Sequence, residues 1–107
     1  MARDIKEISR IAHLFVEDVK QVMPIERAFL FGSCAKGYSS ELSDVDICFF
    51  LKDFNGKHRV EVITELLGMG GKYPDIPFEP LAFESSELQK DNPFVREIIA
   101  TGIELLQ

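Results

Sequence analysis

Tryptophan is absent, cysteine occurs only twice, and lysine and arginine together number 12 against 18 aspartates and glutamates, for a formal net charge of -6. Each shortage excludes something. Nucleic acid and anionic membrane surfaces attract a surplus of cations, so a polynucleotide substrate and a membrane partner are both disfavoured for this acidic chain. The N-terminal stretch MARDIKEISRIAHLF is broken by a charge every few residues. It therefore lacks the unbroken apolar segment of a signal peptide or membrane span, and the expected compartment is the cytoplasm. Cys34 and Cys48 have neither zinc-site spacing nor a secretory context, which predicts free, reduced thiols beside core segments. His13 and His58 have no neighbouring ligands at metal spacing and read as surface or partly packed side chains. There is no G-x-x-x-x-G-K-[ST] and no G-x-G-x-x-G, so neither a Walker loop nor a dinucleotide fingerprint is present.

What the chain does contain is 46% hydrophobic residues over 107 positions, enough for one cored domain and too little for two. Ile5, Ile8, Ala12, Phe15, Val19 and Val22 recur in steps of three and four, the stripe of an amphipathic helix that Pro24 should stop. Ala28 to Phe31 reads as a short buried strand, Val45 to Leu51 as a second, and Asp53 to Gly56 as a turn. Helical spacing returns from Lys57 to Leu67 through Val60, Ile63, Leu66 and Leu67, and should end at Gly68, Gly70 and Gly71. Ile76 to Phe83 is a third strand, pushed toward a sheet edge by Pro77 and Pro80, which lack N–H donors. Asn92-Pro93 opens a final helix with Phe94, Val95, Ile98 and Ile99 on its core side, closed by Gly102. The expected fold is α/β (α+β): a short mixed sheet flanked by helices.

The chemistry lies in FLFGSCAKGYSSELSDVDICFFL, residues 29–51. Side chains alternate across a strand, so Asp44 and Asp46 project from one face while Val45 and Ile47 go to the other. Two adjacent carboxylates repel each other unless a cation lies between them, and their hard oxygens suit Mg²⁺ together with substrate phosphates. The blander reading makes Asp44 a turn cap and Asp46 a solvated strand end. Upstream, Gly32 allows close backbone approach and Ser33 offers an N–H and a hydroxyl to phosphate oxygens.

The combination G-S-x-x-x-G, six further residues, then D-x-D in an apolar strand resembles the nucleotidyltransferase domain of the DNA polymerase β-like superfamily. Within it, the chain looks most like the minimal nucleotidyltransferases, small prokaryotic antitoxin-like proteins encoded beside a HEPN-type toxin. The resemblance spans residues 1–107 as one nucleotidyltransferase domain. It implies phosphate binding at Gly32 and Ser33 and metal binding at Asp44 and Asp46. Lys36 stands where the family often has Arg, which keeps the charge but loses bidentate geometry. A third family carboxylate falls on Glu79 in IPFEPLAF, where Asp is commoner, with Asp75 and Glu84 as alternatives. The implied reaction moves a nucleoside monophosphate, AMP from ATP, to a hydroxyl group with two Mg²⁺ ions. The implied acceptor is a tyrosine of the HEPN-type partner, in a hetero-oligomer. The other reading is a non-catalytic module that neutralises its partner by contact.

Overall fold

The computed structural model describes residues 4–32, 35 and 44–106. The order is α1 (Ile5–Lys20), β1 (Ile25–Phe31), β2 (Val45–Leu51), α2 (Arg59–Gly70), β3 (Phe78–Glu84), a 3₁₀ turn (Ser85–Gln89), α3 (Pro93–Thr101) and β4 (Ile103–Glu104). The sheet runs β3-β2-β1-β4, with β2 antiparallel to β1 and parallel to β3, and β4 antiparallel to β1. The mixed α+β architecture expected from the sequence is therefore present.

Strand alternation sorts the core into two faces. Val45, Ile47, Phe49 and Leu51 of β2 join Ile8, Ala12, Phe15 and Val19 of α1 and Val62 and Leu66 of α2 in one cluster. Cys48 and Phe50 point the other way, toward Phe29, Phe83 and the α3 residues Val95 and Ile98. Phe15 anchors the first cluster, with its ring 5.4 Å from Phe49 and 4.8 Å from Phe78. Every residue of the VDICFFL strand except Asp46 is buried, because helices cover the sheet on both sides.

The ends of the elements follow local chemistry. Asp4 caps α1 by accepting from the Lys6 N–H at 2.9 Å, and Asn92 caps α3 by accepting from Phe94 N at 3.0 Å and Val95 N at 3.3 Å. Asn55 and Gly56 take φ of 53° and 79° in the turn after β2. Gly102 lets α3 finish tight against β1, since a Cβ there would stand 2.8 Å from the Leu30 carbonyl oxygen.

Several expectations are corrected. The first helix stops at Lys20, before Pro24, and Val22 is 67% exposed in the turn that follows. The second helix starts at Arg59 and runs on through Gly68 and Gly70, burying Val62, Leu66 and Gly70. Val60 and Leu67 are left 75% and 51% exposed. The phase is set by contact with α1: a Cβ at Gly70 would lie 3.4 Å from the Phe15 ring, so this small residue is the point of closest approach. Phe94 is half-exposed rather than core, edge-on to Phe31 at 6.0 Å. The 3₁₀ turn and β4 were not expected. Among the described residues no helix is long and apolar enough to cross a membrane.

Candidate functional site

β1 leaves the sheet at Phe31, whose partner across the antiparallel ladder is Asp46. The next residue, Gly32, has φ of 74°, in the left-handed region that side chains disfavour. A methyl group there would also run into the Asp46 carboxylate oxygen Oδ2. The backbone conformation therefore favours glycine, and any side chain there would have to displace the Asp46 carboxylate.

On the other side of β2, the parallel ladder sets Asp46 directly beside Glu79. Asp44 stands exposed immediately before β2, with Val45 fully buried between the two aspartates. Asp44, Asp46 and Glu79 thus gather at one end of the sheet. The bond from Val45 N to Pro77 O, 2.9 Å, tacks β3 onto β2 where these carboxylates meet.

The electrostatics are those of crowded like charges. Burial, and then the charge of Asp44, raises the Asp46 carboxyl above its ordinary range. Glu79 is raised as well, first by a hydrogen-bonding contact with the Asp44 carboxyl and its charge, then by burial and by Asp46. Among the described residues no group of three His, Cys, Asp or Glu side chains is drawn together closely enough to hold a metal ion as it stands. The donor set nevertheless fits a hard divalent cation: it is all oxygen, with Asp46 and Glu79 crowded enough to hold protons more tightly than usual, and Gly32 adds no side chain beside Asp46.

Ser33, Lys36, Cys34 and Gly37 lie outside the described residues. Of the alternatives to Glu79, Glu84 sits at the far end of β3 opposite Leu51, away from the aspartates, and Asp75 lies exposed in the turn before the strand. Cys48 shares a sheet face with Asp46, but burial pushes its thiol up to about 12, so it is no nucleophile at neutral pH. His13 is exposed on α1, and the backbone N–H of His58 donates to Glu61 Oε1 at 3.2 Å at the start of α2.

A hollow of about 370 Å³, which no local sequence pattern marks, opens between α2 and the start of β3, lined by Asp44, Glu79, Ile63, Leu67, Pro77, Phe78 and Pro80.

The family described as Polymerase beta, Nucleotidyltransferase matches residues 11–107. No protein of curated function matches. Three solved structures share the fold. A candidate nucleotidyltransferase from Sulfolobus solfataricus is 21% identical with a TM-score of 0.59, covering 79% of this chain and 74% of that one. A mutant of the toxin-antitoxin MntA-HpeT is 19% identical with a TM-score of 0.58, covering 94% and 71%. A toxin-antitoxin with AMP-PNP is 20% identical with a TM-score of 0.56, covering 94% and 72%.

Proposed function

Because the chain belongs to the polymerase beta nucleotidyltransferase family, we propose that residues 1–107 act as one nucleotidyltransferase domain that moves AMP from ATP to a hydroxyl acceptor. The acceptor in this reading is a tyrosine of a HEPN-type toxin in the cytoplasm, and the protein is its antitoxin. The similarity in fold to toxin-antitoxin chains, one of them with AMP-PNP, supports the choice of partner and nucleotide. The observation that carries the reading is the register that sets Asp46 beside Glu79, with Gly32 packed against Asp46 from the opposite strand.

Asp44, Asp46 and Glu79 would hold two Mg²⁺ ions, which when bound supply positive charge to the triphosphate and to the charges that develop during an in-line displacement. The Gly32 turn would let backbone approach the phosphates without a side chain in the way, and the sequence motif assigns Ser33 and Lys36 to the same phosphates. The acceptor oxygen forms a bond to the α-phosphorus while the bond from that phosphorus to its bridging oxygen breaks. Pyrophosphate leaves with the electron pair. Glu79, exposed at the sheet edge, would in this reading help activate the acceptor and take the hydroxyl proton.

The test is co-incubation with Mg²⁺, ATP and a HEPN-type toxin, followed by mass spectrometry. AMP should appear on a toxin tyrosine. Glu79→Gln should keep most Mg²⁺-ATP affinity but lose transfer by at least about 100-fold, as for removal of one stabiliser of developing charge. Glu84→Gln should stay fully active. A second reading, neutralisation by contact, needs no transfer. In that case Asp46→Asn would silence the toxin as well as the unmodified protein does, without any AMP on it.

A further inference from the structure

Two phenylalanines stand on the carboxylate face of the sheet without being fully covered. Phe31 is the antiparallel partner of Asp46, so the two side chains project from the same face, the one to which Glu79 and Cys48 also belong. One row further into the sheet, α3 closes that face: Val95 and Ile98 pack with Phe29, Cys48 and Phe50. Phe94, in the first turn of α3, meets the carboxylate row itself, edge-on to Phe31 at 6.0 Å, with Phe83 behind it at 6.1 Å. It stays 48% exposed, and Phe31 is half-buried.

The fold does not need this exposure. Val95 and Ile98 already bury the core side of α3, and an exposed Phe forgoes the gain that covering its ring would bring. The Phe31 and Phe94 rings are 89° apart, so neither serves the other as a parallel stacking partner. Flat aromatic surface therefore remains at the border of the Phe31-Asp46-Glu79 row, next to the turn where Gly32 follows Phe31.

We propose, resting on the transfer reading above, that Phe31 and Phe94 form the stacking platform for the nucleobase of the donor nucleotide, and that Phe94 sets a preference for purine over pyrimidine triphosphates. Three features select this occupant. A base hangs from its phosphates by one ribose, so phosphates bound at the Gly32 turn bring the base within reach of the residue that leads into that turn. The surface is aromatic and uncharged, the kind on which a base stacks through its π face. Beside Asp46 a phosphate would need a bridging cation, whereas a neutral base needs none. Stacking strengthens with ring area, which favours the two rings of a purine.

The probes are Mg²⁺-ATP, Mg²⁺-UTP and Mg²⁺-tripolyphosphate, which has phosphates but no base. Phe94→Ala should raise Kd and KM for Mg²⁺-ATP about tenfold, the scale of one lost base–aromatic stack, and change kcat little. The preference for ATP over UTP should shrink toward equality. Affinity for Mg²⁺-tripolyphosphate should stay the same, which also shows that the variant keeps its carboxylate site folded. The chain has no tryptophan, so Phe94→Trp installs a single fluorophore on a ring that should restore ATP affinity. Mg²⁺-ATP should quench it, and Mg²⁺-tripolyphosphate should not. Unchanged ATP affinity in Phe94→Ala, equal weakening of ATP and tripolyphosphate, or a Phe94→Trp signal indifferent to ATP would overturn the platform. Failure of the unmodified protein to bind Mg²⁺-tripolyphosphate would instead overturn the transfer reading beneath it.

Discussion

At the residue scale, the site depends on one glycine and on carboxylates held closer together than their charges favour. Gly32→Ala places a methyl group against Asp46 Oδ2 on a backbone with φ of 74°. The left-handed strain alone is about 1–2 kcal/mol, so the variant should unfold at lower urea and lose at least about tenfold in transfer; wild-type stability and activity would contradict the packing. The pH dependence follows from the raised proton affinity of Asp46. A carboxyl that binds its proton more tightly folded than unfolded makes the native state lose stability as pH rises, from its ordinary value, roughly 3.9, through its raised folded value. In metal-free buffer, Asp46→Asn should therefore melt above the unmodified protein at neutral pH, and the gap should close as pH falls below the carboxylate range. A variant that melts lower at neutral pH would make Asp46 a structural residue. The start of β2 at Val45 was legible from its apolar run, and Asp44 falls just outside that strand, so its nearness to Asp46 comes from their spacing of two residues rather than from strand alternation. The closeness of Gly32 to Asp46 was not legible, since it depends on the antiparallel register.

At the scale of elements, local signals were read more accurately than packing. Asn92-Pro93 announced α3, and the cap is made as the sequence predicts, with Asn92 Oδ1 accepting from Phe94 N and Val95 N. Asn92→Ala should cost about 1 kcal/mol and lower the urea midpoint with the m-value unchanged; no shift would mean that packing of Val95 and Ile98 alone holds the helix. β2 was read at its observed limits because VDICFFL is buried on both faces and bounded by polar residues. The phase of α2 was misread, because several of its apolar positions compete and contact with Phe15 of α1 selects Val62, Leu66 and Gly70. β4 is two residues long and takes its place from pairing with β1 and the Arg27–Glu104 ion pair at 2.8 Å. No local pattern marks such a strand. Pro77 and Pro80 did mark β3 as an edge, and the edge is what leaves Glu79 and the hollow accessible.

At the scale of the whole molecule, a net charge of -6 and a carboxylate cluster at one end of the sheet make a poor surface for a bare triphosphate or a polynucleotide. Divalent cations reverse that local electrostatics, so metal dependence and nucleotide use stand or fall together. The family match over residues 11–107 establishes the kind of domain, and the register of Asp46 with Glu79 gives that domain an arrangement of carboxylates suited to its chemistry. The most direct measurement follows the two ends of ATP separately, using ATP labelled at the α-phosphate or the γ-phosphate, with a HEPN-type toxin as acceptor, in Mg²⁺ and in EDTA. Metal-dependent AMP transfer predicts that α-label passes to the toxin and γ-label to pyrophosphate, only with Mg²⁺, and that Asp46→Asn reduces both by at least about 100-fold. Transfer of γ-label to the toxin, transfer that persists in EDTA, or full activity of Asp46→Asn would contradict it.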